Sequence, residues 1–292
     1  MISALKKLLI ITILLLTPLT SYSTSIPTPL PNIQKIEHPL GHPARGLLIW
    51  ENEEEFLKLI TDYKTLVRIA AFQTTLPDPL PGEEYNVGLA AEMLAGTLVK
   101  PGQIFSLNKT LGPRTKEKGF SEGPAYSGSQ VIKVIGGGIC KISTTLYNTA
   151  ILADLEIIER RPHGMLVPYV PAGQDATVSY GATDFKFRNT TGKPIIIWAE
   201  KIDNTLFMAF YGGVAPPKIT WRHQVLRSWK MPVYRRYNPT LKQGEERVVQ
   251  SGAEGVWVKN WIVKWREKKI IETKYLGTDY YSPMPKIVEF GK

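Results

Sequence analysis

The sequence contains a single cysteine, Cys140, among its 292 residues. One thiol cannot form an intramolecular disulfide, and a zinc site built on several cysteines is excluded. Three glycines stand at 136–138, but the Lys-Ser/Thr pair that follows the glycines of a phosphate-binding loop is missing. The sequence shows no clustered metal ligands and no motif for an organic cofactor. We therefore expect a protein that works without a metal or cofactor.

Acidic residues are scarce in the last quarter of the chain. The whole chain has 36 Lys/Arg against 26 Asp/Glu, a net charge of +10. From residue 218 onward there are 16 Lys/Arg and 7 Asp/Glu, so this part carries nine of those ten charges. A basic surface favours anionic partners. Nucleic acid is disfavoured as a partner, because the N-terminal residues predict export.

Long apolar runs are missing except near the N-terminus. Lys6 and Lys7 precede an apolar run at 8–16, and small residues follow. This pattern is typical of a signal peptide, expected over 1–23, and predicts a secreted or cell-envelope protein. The run is shorter than the roughly 20 residues of a spanning helix, although an uncleaved segment would serve as a membrane anchor. Prolines are frequent at 24–48, where we expect an extended linker.

The segment that bears Cys140 has the pattern of a buried helix. Apolar residues recur every four positions from Ile142 through Leu146 to Ala150, which is the spacing of one helix face. Cys140 would lie at the first turn, where the helix dipole favours a thiolate. A nucleophilic cysteine is one interpretation. The alternative is a small buried residue at a tight turn.

A cysteine nucleophile needs a base within hydrogen-bond reach and a group that orients the base. The chain offers Cys140, then His163, then Asp175 as a predicted catalytic set, with Asp184 as an alternative to Asp175. The order is similar to that of papain-like and transglutaminase-like hydrolases, in arrangement only. The alternative treats His163 as a surface or capping residue and Asp175 as a turn residue before a strand.

Several further residues are predicted to contact a substrate. Glycines allow close backbone approach, a loop arginine can grip a carboxylate with two hydrogen bonds, and tryptophans on one face of a strand can stack on sugars. The predicted substrate-binding residues are Gly137, Gly138, Lys141, Arg114, Trp257, Trp261 and Trp265. The alternative for the tryptophans is that they cover a small core.

The order of predicted elements indicates an α+β fold. Helices are expected over 51–63, over 86–98 with Asn86 as the cap, and from Cys140 onward. Three antiparallel strands are expected at 184–189, 194–200 and 205–211, and further strands at 246–250, 256–266 and 270–276. We therefore expect an α+β core over 49–212 and a basic β-rich module over 213–292.

Three ordered blocks, 86–120, 136–148 and 168–198, resemble the VanW family. One departure is Lys141, which stands where the family usually has glutamine. The last part of the chain, with Gly252, Gly255 and the Tyr280-Tyr281-Ser-Pro run, is similar to the β module called the G-five domain. The first resemblance implies a bacterial envelope protein connected with glycopeptide resistance. The second implies binding of amino sugars.

Two functions follow from these patterns. The first is an exported envelope protein that acts as a cysteine-dependent acyl transferase or hydrolase on peptidoglycan stem peptides. The second is a non-catalytic envelope protein that binds cell-wall glycan or anionic polymer through its basic C-terminal module. The sequence leaves open whether the protein is an enzyme.

Overall fold

The computed structural model describes residues 41–292, apart from 77, 128 and 129. The expected signal peptide at 1–23 and residues 24–40 of the expected linker lie outside the described residues. The helices are α1 Glu54–Asp62, α2 Glu83–Leu94, α3 Leu107–Leu111 and α4 Cys140–Leu152, and short 3-10 turns cover Ile49–Asn52 and Lys116–Lys118. No helix in the described ranges is long and apolar enough to cross a membrane.

Strands outnumber helices, and nearly all of their pairings are antiparallel. The strands are β1 Gly41–Pro43, β2 Val67–Thr75, β3 Thr97–Val99, β4 Ile104–Ser106, β5 Glu122–Ser127, β6 Gln130–Ile135, β7 Glu156–Glu159, β8 Lys186–Arg188, β9 Ile195–Ile202, β10 Thr205–Gly212, β11 Lys218–Trp229, β12 Val233–Tyr237, β13 Glu246–Gln250, β14 Gly255–Arg266, β15 Lys269–Tyr281 and β16 Lys286–Phe290. Four helices beside these strands confirm the α+β class.

A five-stranded sheet in the order β1-β2-β10-β9-β3 carries helices on both faces. On one face, α2 and α4 bury the largest apolar cluster against β2, β9 and β10. On the other face, Phe56 of α1 packs edge-on against Trp198 and Tyr211, with ring centroids 5.1 Å and 4.7 Å apart. Burial of both sheet faces explains the continuous apolar runs of β9 and β10.

Helix α4 is enclosed by the rest of the protein. All its residues from Lys141 to Ile151 are buried, including polar ones such as Thr144 and Asn148. Buried polar groups require hydrogen-bond partners. The side chains of α4 therefore hold neighbouring segments in place as well as filling the core.

The C-terminal residues form two three-stranded sheets, β11-β14-β15 and β12-β16-β13. Ile219 of β11 and Ile262 of β14 belong to the same apolar cluster as α4. The ring of Trp221 lies 5.8 Å from that of Tyr147 on α4. The basic C-terminal strands are thus packed directly against the element that bears Cys140.

Two local expectations are wrong. The linker does not extend to residue 48, because β1 pairs with β2 and Leu48 is buried. Asn86 is not a cap: α2 begins at Glu83, after Gly82 in a left-handed conformation (φ 82°), and the buried Asn86 amide donates to the carbonyls of Ser121 and Gly137.

The strand pattern also differs from expectation in two places. Strand β8 pairs with β4 and β7 in a separate small sheet, so only β9 and β10 form the predicted hairpin. Strand β15, expected to end at residue 276, continues through Gly277 (φ 128°) to Tyr281. A positive φ suits glycine and lets the strand kink without ending its pairing with β14. Asp279 and Tyr281 are carried on this extension.

We predict that Gly137→Ala destabilises the protein. A Cβ at this position would lie 2.1 Å from the carbonyl carbon of Gly123 on β5, and backbone cannot move aside cheaply. Overpacking of this kind lowers the free energy of unfolding by about 2 kcal/mol or more. Urea unfolding measures the change. Gly164→Ala is the matched control, because a Cβ there meets nothing within 4 Å, and equal losses in both variants would contradict the packing argument.

Candidate active site

Cys140 is the first residue of α4 and is partly exposed. Its Sγ lies 3.4 Å from Thr177 Oγ1 and 3.6 Å from the carbonyl oxygen of Val178. Both partners belong to the loop that follows Asp175. The thiol therefore faces this loop at the edge of the buried helix.

The imidazole of His163 connects Cys140 to Asp175. His163 Nδ1 lies 2.7 Å from Asp175 Oδ2, and the backbone N–H of His163 donates to the same oxygen at 2.6 Å. The ring also interacts with Cys140, because each of the two groups shifts the pKa of the other. Because the carboxylate can only accept, Nδ1 carries a proton, and Nε2 is the ring nitrogen that remains for the thiol. The structure thus brings together the three predicted catalytic residues.

Polar side chains of α4 hold the segment that carries Asp175. Thr144 Oγ1 accepts from the Ala176 N–H at 3.0 Å and donates to the Ala176 carbonyl at 3.2 Å. Asn148 Nδ2 donates to the Gln174 carbonyl at 2.7 Å. The backbone on each side of Asp175 is therefore bonded to the helix that begins with Cys140. One helix positions both the nucleophile and the orienting carboxylate.

The electrostatics of this site favour a thiolate–imidazolium pair. Burial raises the pKa of Cys140, but the hydrogen bond and the positive charge of His163 outweigh it and bring the pKa to about 7. Burial lowers the pKa of His163, but the contacts with Asp175 and Cys140 raise it to about 10. Burial likewise raises the pKa of Asp175, and His163 and Arg160 bring it below its usual value. All three groups are charged between about pH 7 and pH 10.

Asp184 does not orient His163. Its carboxylate accepts from Ser106 Oγ at 2.6 Å and from the backbone N–H of Asn108 at 2.9 Å. These bonds fix the start of α3. The sequence leaves open whether Asp175 or Asp184 orients His163, and in the structure Asp175 is the carboxylate bonded to the His163 ring.

Arg114 presents an unpaired buried donor. Its Nη1 donates to Asn108 Oδ1 at 2.5 Å, whereas Nη2 is buried and has no partner among the described residues. Burial lowers the pKa of Arg114, while the charges of Asp184 and Cys140 act in the opposite direction. A buried N–H without a partner is costly in a folded protein. Nη2 is therefore suited to an anionic or carbonyl oxygen of a ligand.

The glycines and Lys141 are engaged in packing. Gly137 lies against Gly123, and Gly138 (φ 96°) lies against Glu83. Lys141 is fully buried, with Nζ 2.6 Å from Glu84 Oε1 and 2.8 Å from the Asn204 carbonyl. The Lys141 ammonium can contact a substrate only if its ion pair with Glu84 breaks. Direct substrate contact by these three residues stays a prediction.

The start of α4 offers fewer free N–H groups than a helix terminus usually does. The N–H groups of Lys141 and Ile142 donate to the Gly138 and Ile139 carbonyls. An oxyanion at Cys140 therefore depends on other donors, and Arg114 Nη2, which has no partner among the described residues, is one candidate.

The three predicted tryptophans lie on β14, apart from the thiol. Trp257 is 44% exposed, and the buried residues of the strand alternate with it. The ring of Trp261 lies 5.5 Å from that of Tyr275 and 5.8 Å from the Arg222 guanidinium. Trp265 donates from Nε1 to Thr220 Oγ1 at 2.8 Å. They form part of a half-exposed aromatic and cationic sheet face rather than the core.

Sequence reasoning missed three residues of the hydrogen-bond network around Asp175, namely Arg160, Asp279 and Tyr281. Arg160 Nη2 lies 3.1 Å from Asp175 Oδ1, and the Tyr281 hydroxyl donates to the same oxygen at 2.5 Å. Arg160 Nη1 in turn bonds Asp279 at 2.7 Å. The position of Arg160 three residues before His163 was a visible signal. Nothing local to Asp279 or Tyr281 points to this site.

Among the described residues, no three His, Cys, Asp or Glu side chains are grouped so as to hold a metal ion. The carboxylate of Asp175 accepts hydrogen bonds from His163, Arg160 and Tyr281.

The fold and the site together define an α+β domain with a cysteine, histidine and aspartate set, followed by a small all-β module. Residues 82–211 match the family described as VanW like protein, and residues 224–292 match the G5 domain. The chain thus contains a VanW-like domain and a G5 domain.

Curated relatives are similar over the VanW-like region. The chain is 39% identical over 129 residues to the uncharacterized protein YoaR of Bacillus subtilis, covering 44% of this chain and 43% of that protein. It is 33% identical over 139 residues to the vancomycin B-type resistance protein VanW of Enterococcus faecalis, covering 45% and 50% respectively. The match spans at most half the length of these relatives.

Solved structures of G5 domains are similar to part of this chain. One is the IgA1 protease G5 domain, 26% identical, with 26% of this chain and 92% of that chain covered and a TM-score of 0.18. Another is the HP0197-G5 structure, 19% identical, with 25% and 99% covered and a TM-score of 0.15.

We predict that Cys140 reacts as a thiolate at neutral pH. In the native protein, the rate of alkylation by iodoacetamide should rise with a midpoint near pH 7, the pKa set by His163. In His163→Ala, only the hydrogen bonds with Thr177 and Val178 still oppose burial, so the midpoint should rise to about 8.5 or above. The urea-unfolded protein is the control and should titrate near about 8.5. Identical profiles for the native protein and His163→Ala would contradict the pairing.

Proposed function

We propose that this protein is exported to the cell envelope and that its VanW-like domain is a cysteine-dependent acyl transferase or hydrolase acting on peptidoglycan stem peptides. The observation that carries the proposal is the position of His163 between Cys140 and the buried Asp175. A thiol that packed as an inert apolar group would have a raised pKa, whereas His163 lowers the pKa of Cys140 to about 7.

The acylation step uses the charged pair directly. The thiolate of Cys140 attacks an amide carbonyl and forms a C–S bond. The imidazolium of His163 then gives its proton to the leaving amine as the C–N bond breaks, which leaves a thioester and a neutral imidazole. Asp175 holds the ring through Nδ1 and stabilises its charged form.

The deacylation step selects between the two reaction types. His163 removes a proton from water or from the amine of a second stem peptide, and that nucleophile attacks the thioester carbonyl. The C–S bond breaks, and the thiolate and imidazolium are restored. Water gives hydrolysis and an amine gives a transferred peptide. Both outcomes use the same residues.

The chemistry around Cys140 fits a peptide that carries carboxylates. Arg114 Nη2 is an unpaired buried donor among the described residues, and the charge of Cys140 acts on the pKa of Arg114. Stem peptides contain both amide bonds and free carboxylates. The net charge of +10 favours an anionic polymer over a cationic one. The apolar run at 8–16, the similarity to VanW and the G5 domain support an envelope location.

A second candidate function, binding of wall glycan or anionic polymer, is favoured by the sheet β11-β14-β15. Arg222 lies over Trp261, and Arg227 lies over Trp229 at 5.1 Å. Trp257 is exposed between them on β14. Aromatic rings with neighbouring cations suit sugar rings that bear anionic groups. This function is compatible with the first, because the two surfaces use different residues.

We predict that Cys140→Ala abolishes conversion of stem peptides. The full chain is incubated with synthetic tripeptide, tetrapeptide and pentapeptide stems, and the products are measured by mass spectrometry. Loss of a nucleophile typically lowers kcat by about 10³-fold or more. Trp257→Ala should retain the activity, because its side chain lies on the other surface. Equal product formation by the native protein and Cys140→Ala would contradict the proposed nucleophile.

We predict that binding to isolated cell walls depends on the aromatic sheet face. In a sedimentation assay, Trp257→Ala should weaken binding about fivefold, since a stacked aromatic contributes roughly 1 kcal/mol. Tyr126→Ala is the matched control, because Tyr126 is similarly exposed but lies on β5. The same loss in both variants would show that the β14 face has no special role.

A further inference from the structure

We infer that the C-terminal β module is part of the active site, with Tyr281 and Asp279 acting as positioning residues for Asp175 and His163. The inference rests on the proposed function of the Cys140 site. It changes the role of the module, which then completes the catalytic arrangement in addition to any binding of wall polymer.

The hydrogen bonds of Tyr281 have a defined direction. Its hydroxyl oxygen accepts from the Gly173 N–H at 2.8 Å, and an N–H can only donate. The O–H must therefore donate to its other partner, Asp175 Oδ1, at 2.5 Å. Tyr281 is 1% exposed, and burial first of all raises its pKa well above the usual value. The donor keeps its proton over the whole range in which the site works.

Asp175 thus has four donors that come from two parts of the protein. Oδ2 accepts from the backbone and the ring of His163, and Oδ1 accepts from Arg160 and Tyr281. A carboxylate offers about four acceptor positions. The donor on β15 completes this set and prevents the carboxylate from turning away from the imidazole.

Asp279 shares the guanidinium of Arg160 with Asp175. Both of its oxygens bond Arg160 Nη1, at 2.8 Å and 2.7 Å, while Arg160 Nε donates to the Asp175 carbonyl at 2.7 Å. One guanidinium is therefore shared by two carboxylates. Without Asp279, the positive charge of Arg160 would act on Asp175 alone, and the imidazolium of His163 would be less stable.

The contact between module and core is built from buried, directional groups. Asn260 Nδ2 donates to Asp279 Oδ2 at 2.9 Å, and Asn260 Oδ1 lies 2.9 Å from His223 Nδ1. Because this oxygen only accepts, His223 carries its proton on Nδ1, and its Nε2 accepts from Gln174 Nε2 at 3.0 Å. The hydrogen-bond chain returns to the residue before Asp175.

Close packing supports the same conclusion. Gly173 has a φ of 91°, and a Cβ there would lie 2.0 Å from Asn260 Oδ1. The loop that carries Asp175 can lie this close to β14 only because residue 173 is a glycine. The module is therefore fitted to the loop that holds the catalytic carboxylate.

The test uses the full chain with Tyr281→Phe, Asp279→Asn and the control Tyr280→Phe. Tyr281→Phe keeps the ring and removes one donor, Asp279→Asn keeps the shape and removes one charge, and Tyr280 is exposed on the same strand. The readouts are the NMR titration of the His163 ring, the exchange of its Nδ1 proton with water, and kcat on stem peptides. Thermal unfolding confirms that each variant is folded.

We expect Asp279→Asn to lower the pKa of His163 by about one unit, the size of effect of one nearby charge. We expect Tyr281→Phe to speed Nδ1 proton exchange about tenfold, the effect of one hydrogen bond, and to lower kcat similarly with little change in KM. Tyr280→Phe should change none of these.

Unchanged NMR readouts in both Tyr281→Phe and Asp279→Asn would overturn the inference, whatever the activity. Shifted NMR readouts in a protein that converts no stem peptide would support the positioning role and reject the proposed function. The NMR measurements therefore separate the two hypotheses.

Discussion

The buried carboxylate of Asp175 is the constraint on which the rest of the site depends. An isolated charge in a protein interior is strongly unfavourable unless hydrogen bonds and opposite charges compensate it. Asp175 obtains this compensation from His163 and Arg160, which share the loop after β7, and from Tyr281 at the end of β15. Each of these segments must be in place for the carboxylate to stay ionised, so the charge couples the packing of the core to that of the C-terminal strands.

Helix α4 also helps to hold Asp175 in position. It is buried all round, and its polar side chains bond the backbone beside Asp175. The buried pair of Lys141 and Glu84 ties its first turn to α2. The nucleophile therefore begins a helix whose position is set by several directional bonds rather than by apolar contact alone. Such preorganisation is what a thiolate–imidazolium pair needs to stay aligned.

Many local features could be predicted from the sequence, and the errors have physical reasons. The start of α4 followed from apolar spacing, and β13 lies at the expected residues 246–250. Asn86 was mistaken for a cap because its side chain serves as a cap in other contexts, whereas here it bonds Ser121 and Gly137 across the fold. The end of β15 was missed because a glycine, here Gly277, often marks an interruption of a strand. In this protein its positive φ accommodates a kink within continued pairing.

The sequence by itself determined the α+β class, the helix that bears Cys140, the basic C-terminal strands and the candidate residues Cys140, His163 and Asp175. Only the tertiary structure decided between Asp175 and Asp184, paired Arg160 with Asp279 and brought Tyr281 to the carboxylate. The physical reason is the sequence separation over which each kind of interaction acts. Periodicity, caps and turns act over a few residues, whereas the Tyr281–Asp175 and Arg160–Asp279 bonds join residues 106 and 119 positions apart. Contacts at such separations depend on how the sheets and α4 pack, which no local pattern records.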